Sequence, residues 1–210
     1  RKDDYYILHD HLEAVNEPLY FHQFMERASR HGLNYLAEAD FVTMLGGDFA
    51  PEVMRTLAEV APDVQSREQY MDFLRARSFR QTLLVRSDVA LTRKLSPLRV
   101  MALRVASWAQ PVGTPNLLAD TPENFRTQEN REIRVAARIT KAALLALAEK
   151  WPLAIPFDEL VSIAHARLGT PGEVSEEERK QVASDMLQSY AVGVVELRHA
   201  PSPFVIEPGE

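Results

Sequence analysis

The sequence contains no cysteine, so disulfides, thiolate-held zinc or iron–sulfur centres and a cysteine nucleophile are all excluded. No apolar run approaches the roughly 20 residues that a bilayer-spanning helix needs. Positive charge is in the minority: 24 Lys and Arg stand against 30 Asp and Glu, a formal charge of −6. That balance speaks against broad nucleic-acid binding, which normally presents a basic face. Glycine is sparse, and Gly46-Gly47 fits neither the G-x-x-x-x-G-K-[ST] nor the G-x-G-x-x-G phosphate cradle. A G-x-S-x-G nucleophile elbow is missing too. Neither an initiator Met nor a signal-peptide pattern precedes Arg1, and the chain is expected to be a piece of something longer.

What is present is the composition of a globular protein, 46% hydrophobic and 26% charged. At 210 residues there is room for one large domain or two small ones. Residues 3–13 are amphipathic and helical in pattern, interrupted by Asn16-Glu17-Pro18. Phe21, Phe24, Met25 and Ala28 then share one face of a helix over 19–30, which Gly32 ends. The run 33–39 is strand-like, so helix, glycine and strand suggest part of an incomplete α/β unit whose preceding strand is expected upstream of Arg1 or is missing. Pro51 opens a helix carrying Val53, Met54, Leu57, Ala58 and Ala61 inward. Ser66-Arg67-Glu68-Gln69 has the form of a capping box opening another helix, with Tyr70, Phe73, Leu74 and Arg77 on one stripe. Strands are expected over 79–85 and 98–107.

The stretch Gln110-Pro111-Val112-Gly113-Thr114-Pro115-Asn116 is the clearest boundary signal, placing one domain at 1–112 and a second at 113–210. Ile133 to Lys150 is expected as a core helix stopped by Trp151-Pro152. A short strand at 155–157, a helix capped by Asp158 and a helix opened by the capping box Ser175-Glu176-Glu177-Glu178 follow. A hairpin joining 192–198 to 204–206 closes the order of a winged-helix domain. The fold class is therefore α+β and helix-rich: an N-terminal α+β region followed by a winged-helix-like domain.

Chemistry-bearing residues cluster early. His9, His11 and His22 suggest a metal or a general base. On a helix, however, His9 and His11 project about 200° apart, so no metal site is assigned. His9/Glu13 and His22/Glu26 are spaced for local i, i+4 contacts. Arg75, Arg77, Arg80 and Arg86 are either exposed arginines or the lining of a groove for an acidic partner segment; Arg126, Arg131, Arg134 and Arg138 form a second basic cluster. Glu176, Glu177 and Glu178 suit a helix N-terminus but repel phosphates, which demotes DNA binding.

The segments Leu-His-Asp-His-Leu-Glu at 8–13, Asn16-Glu17-Pro18-Leu19-Tyr20-Phe21, and His31-Gly32-Leu33-Asn34-Tyr35-Leu36-Ala37-Glu38-Ala39 occur in order. With Phe73-Leu74-Arg75-Ala76-Arg77-Ser78-Phe79-Arg80-Gln81-Thr82-Leu83-Leu84, they resemble the predicted methyltransferase regulatory domain of bacteria over roughly the first 85 residues. The remainder, including Lys141-Ala142-Ala143-Leu144 and Trp151-Pro152, resembles more weakly the C-terminal region of rickettsial-type protein-lysine methyltransferases. The resemblance implies a cytoplasmic, non-catalytic regulatory or substrate-positioning module, covalently linked to an upstream methyltransferase domain that binds S-adenosylmethionine. This chain itself lacks a cofactor motif. His9, His11, Tyr20, Phe21, His22, Arg77 and Arg80 are the residues expected to contact the linked domain or a protein substrate. A homodimer is a further expectation; a membrane partner is not. The rival readings are a winged-helix nucleic-acid-binding or dimerisation module, and an enzyme using His9 or His22 as base.

Overall fold

The computed structural model describes residues 17–47 and 49–201, in two compact units that divide between Leu91 and Thr92. The expected border at 112–113 falls inside the second unit, because Val100, Val105 and Ala109 belong to its core. The expected helix at 3–13 and the hairpin arm at 204–206 lie outside the described residues.

In the first unit, α1 (Phe21–Arg30) buries Phe21, Met25 and Ala28, while Phe24 stays partly exposed. It ends at Gly32, whose φ of +68° glycine adopts without strain. Strand β1 (Leu33–Glu38) follows, then a short 3₁₀ turn at Phe41–Met44 and α2 (Pro51–Val60), opened by Pro51. α3 (Val64–Arg75) is capped by Asp63, whose side chain accepts from the Ser66 N–H, so the cap lies three residues before the expected one. Strand β2 (Thr82–Arg86) pairs antiparallel with β1, bringing Tyr35 opposite Leu84 and Glu38 opposite Thr82. The expected incomplete α/β unit is therefore a two-stranded antiparallel ribbon among the described residues. Its apolar core is small: Phe21, Met25, Ala28 and Tyr35.

The aromatic stripe of α3 is not its buried face. Tyr70, Phe73 and Leu74 face outward, whereas Glu68, Gln69, Met71 and Asp72 are buried. Carboxylates go inside only where partners repay their lost hydration. Here the partners are arginines from the link between α3 and β2.

The second unit begins with α4 (Pro97–Val100), a single turn, and β3 (Arg104–Ala106), where one continuous strand was expected. Pro97 suits the first turn of a helix, which accounts for the break. Strands β4 (Gln110–Pro111), β5 (Glu123–Arg126) and β6 (Glu132–Val135) form an antiparallel sheet. Ile133 and Val135 thus lie on a strand, and helix α5 (Arg138–Lys150) starts later than expected. Then come β7 (Ile155–Pro156), α6 (Phe157–Arg167), α7 (Glu176–Ala191) and β8 (Glu196–Arg198). Asp158 sits in the first turn of α6, which it does not cap. β3 is the middle strand of the antiparallel order β7-β3-β8. The core is extensive, with Leu144, Leu147, Leu160 and Met186 fully enclosed. The Ser175 capping box forms as expected, each residue bonding the other's backbone N–H.

Candidate functional site

Ala76 adopts a left-handed conformation at the end of α3, and the chain reverses so that the Arg77 N–H donates to the Asp72 carbonyl at 2.9 Å. This turn carries Arg77 and Arg80 back over the helix. The Arg80 guanidinium donates to Glu38 at 2.7 and 3.1 Å, to Glu68 at 2.6 Å and to Asp72 Oδ2 at 2.7 Å. It also lies 3.8 Å above the Phe21 ring. Tyr35 and Thr82 donate their hydroxyls to Glu38 at 3.2 and 3.1 Å. Arg77 sits 3.3 Å from Asp72 Oδ1 and 3.8 Å from Glu68. Three carboxylates and two guanidiniums thus form one interior network, the side chains of Arg77 and Arg80 being only 12% and 14% exposed.

Burial pushes the Glu68 carboxyl above the usual carboxylate range, and the nearby Arg80 only partly offsets this. The Tyr35 phenol is raised by burial first and then by the charges of Glu68 and Glu38. For Arg80, burial favours the neutral form, but the bonds to Glu38 and Asp72 win and raise its pKa. Arg80 is therefore a permanent cation in this setting.

Above the network lies a cavity of about 540 Å³. Leu19, Tyr20, Phe21, Phe24, Phe73 and Phe79 supply its apolar wall. Gln69, Asp72, Arg77, Ser78, Arg80 and Thr82 supply its polar side. Tyr20 and Phe73 meet edge to face at a centroid separation of 5.7 Å. Phe79 is 75% exposed and Tyr20 57%, high values for large apolar rings. An apolar concavity with a few convergent polar groups is the general form of a binding site.

Of the residues singled out by sequence, Tyr20, Phe21, Arg77 and Arg80 converge on this cavity. His22 lies beside it, stacked on Tyr20 at 5.8 Å, with its Nδ1 3.1 Å from Gln69 Oε1. The same Gln69 oxygen accepts from the His22 backbone N–H. The expected His22–Glu26 contact is replaced by Glu26 with Arg30, because Gln69 already occupies the imidazole. His9 and His11 lie outside the described residues. The two readings of the arginine cluster both give way in part: Arg77 and Arg80 are internal anchors, Arg75 donates to the Thr43 carbonyl at 2.5 Å, and Arg86 pairs with Asp88 on the surface. In the second basic cluster, Arg126 pairs with Glu132 and Arg138 with Asp120.

Sequence reasoning passed over Glu38, Glu68, Gln69, Asp72, Phe73 and Phe79 as site residues. One signal was available. Glu68 and Asp72 are four apart and flank Met71, giving α3 a second stripe that competes with Tyr70, Phe73 and Leu74. Among the described residues no group of three or more His, Asp or Glu is arranged to hold a metal ion, and no helix is long and apolar enough to cross a membrane.

The sequence pattern of the predicted methyltransferase regulatory domain matches residues 3–86, the stretch that contains this cavity. Over nearly the whole chain the similarity extends further. PKMT2 from Rickettsia typhi, solved in complex with AdoHcy, superposes with a TM-score of 0.76 at 25% identity, over 94% of this chain and 39% of that one. A second structure of PKMT2 from the same organism gives a TM-score of 0.76 at 24% identity with the same coverage. The uncharacterized protein RP789 of Rickettsia prowazekii (strain Madrid E) is 28% identical over 216 residues, 99% of this chain. The chain spans 39% of the length of each of these relatives.

Proposed function

We propose that this chain is a non-catalytic regulatory or substrate-positioning module of an S-adenosylmethionine-dependent methyltransferase acting on protein lysines. The observation that carries the reading is the match of 94% of this chain to part of PKMT2, with a regulatory-domain pattern over its first unit. In this reading the methyl donor binds on a linked methyltransferase domain outside the chain, in the cytoplasm. The module supplies orientation: a bound acceptor reacts as one component of a complex, and well-oriented pairs gain effective molarities of up to about 10⁵–10⁸ M. The cavity under Tyr20, Phe73 and Phe79 is the surface that engages the substrate or the linked domain. The second unit is its winged-helix-like support and a candidate for homodimer contact.

A nucleic-acid role is disfavoured by α7, whose first turn presents Glu176, Glu177 and Glu178. Calorimetry of the chain with S-adenosylmethionine tests the non-catalytic assignment. The expected result is no heat of binding; a micromolar or tighter dissociation constant overturns it.

A further inference from the structure

In the second unit, His165 stands in the last turn of α6 and is buried, 7% exposed. Its ring spans two acceptors. Nδ1 lies 3.3 Å from Glu178 Oε1 in the first turn of α7, and Nε2 lies 3.2 Å from the Gly172 carbonyl in the link between the two helices. Glu178 also completes the Ser175 capping box, its Oε2 accepting from the Ser175 N–H at 2.8 Å. One imidazole therefore ties the end of α6 to the middle of the link and to the start of α7.

The elements packed around the ring carry other charges, and these are turned elsewhere. Arg167 of α6 pairs with Glu149 of α5, and Arg179 of α7 pairs with Asp158 of α6. Lys180 lies 3.8 Å from Glu176 on α7, while Glu159, Glu173 and Glu177 are exposed. Glu178 is the charged group that meets the imidazole. The Ser175 N–H first, and His165 as a lesser cause, hold the Glu178 carboxyl below the usual carboxylate range, so it faces the ring as an anion.

A neutral imidazole has one N–H and one lone pair, whereas an imidazolium has two N–H groups. Two acceptors are fully served only by the charged ring. When the proton leaves, one ring nitrogen turns a lone pair toward an oxygen, and that contact opens. The carboxylate is the stronger acceptor and keeps the remaining N–H at Nδ1, so the Gly172 carbonyl is the partner released. The link is built to move: Gly169 and Gly172 hold φ of +63° and +98°, a region glycine enters and leaves freely. Histidine ordinarily changes charge between about pH 5 and 8.

From this geometry we propose that His165 is a proton-operated latch on the link between α6 and α7. Charged, it fastens residues 169–174 at the Gly172 carbonyl; neutral, it lets them go. Leu168 and Glu178, which flank the latch, also line a cavity of about 460 Å³ with Arg138 and Ile139, so the latch sets the order of that cavity's edge. It does not depend on the methyltransferase reading.

The test is an NMR titration of the 210-residue chain between about pH 5 and 8. Three signals are followed: the His165 ring nitrogens, the Gly172 carbonyl carbon and the amide order parameters of 169–174. The ring is expected to carry protons on both nitrogens at the acid end and on Nδ1 alone at the other. The Gly172 carbonyl is expected to shift along the same curve, with order parameters in the link falling as the proton leaves. His165→Gln places an uncharged amide donor near the Nε2 position and is expected to abolish the pH dependence of the Gly172 signal. His165→Phe, which fills the space without a donor, is expected to leave the link loose at every pH. A ring that titrates while the Gly172 carbonyl and the link stay unchanged overturns the proposal. So does a ring with one protonated nitrogen throughout the range, or a His165→Gln chain whose link still follows pH as the unaltered chain does.

Discussion

The second unit encloses Leu144, Leu147, Leu160 and Met186 among apolar neighbours, whereas the first encloses Glu38, Glu68 and Asp72 and turns Tyr20, Phe73 and Phe79 outward. Each is a solution to closing a small fold. Hydrocarbon packing is non-directional and self-sufficient, and the large apolar side chains it leaves exposed on the second unit are mostly aliphatic, Leu98 and Leu118 among them. A charged interior is directional and needs every partner in place, and it frees apolar side chains for the surface. The unit that spends its charges on the inside is the one with a receptive, aromatic exterior.

Several substitutions test whether the two interiors differ in kind. Arg80→Met is expected to be the most damaging, by about 3–5 kcal/mol, because it leaves three enclosed carboxylates without their shared cation. Urea denaturation combined with hydrogen exchange should locate the loss in residues of the first unit. A cost below about 1 kcal/mol would mean that the network is only decorative. In the second unit, Leu160→Ala is expected to cost about 2–5 kcal/mol through lost transfer energy and a cavity, with exchange accelerating in α5 and α6.

Lys141 is the second unit's exception and sharpens the contrast. Its side chain is 0% exposed, and its Nζ donates to the carbonyls of Asn116, Ala119 and Thr121 at 2.5, 2.9 and 3.1 Å. It pins the link between β4 and β5 by a single cation. Lys141→Met is expected to cost about 1–3 kcal/mol and to speed exchange in 116–123 without loosening the rest of the core.

The enclosed Glu68 of the first unit and the more exposed carboxylates of the second should answer acid in opposite senses. Glu68 has a raised pKa, so its contribution to stability is complete below the unfolded value of about 4.3 and is lost as pH rises through its higher folded value. Glu178, lowered first by the Ser175 N–H, and Glu149, lowered first by Arg167, behave in reverse. Their contributions are complete above about 4.3 and are lost as pH falls through the depressed values. Urea midpoints across the acid range should show the first slope vanish in Glu68→Gln and the second shrink in Glu178→Gln. Least of all, Phe79→Ala should alter thermal stability by no more than about 0.5 kcal/mol, as befits a ring that is largely exposed.

Much of this organisation was legible from the residues. Alternating helix faces, Pro51, Gly32 and the Ser175 box locate elements because each acts within a few residues of itself. Tyr20, Phe21, Arg77 and Arg80, named through the resemblance together with His9, His11 and His22, line one cavity. The inward face of α3 was not legible. Its polarity is decided by Arg80, twelve residues from Glu68 and forty-two from Glu38, and local periodicity favours the aromatic stripe. The strand at 132–135 was hidden for a related reason: Ile133 and Val135 fit a helix as well as a strand until β5 pairs with them. The proline-rich stretch near Pro111 looked like a border, but Pro111 pairs with Phe125 and extends a sheet instead.

In the proposed function, the first unit's cavity positions the acceptor for a methyl donor bound elsewhere. Steady-state methyl transfer by the longer polypeptide, with Phe79→Ala introduced, tests it most directly. The account predicts that the KM for the protein acceptor rises roughly five-fold or more while affinity for S-adenosylmethionine stays that of the unaltered protein. An unchanged acceptor KM, or a loss of S-adenosylmethionine binding in its place, would contradict it.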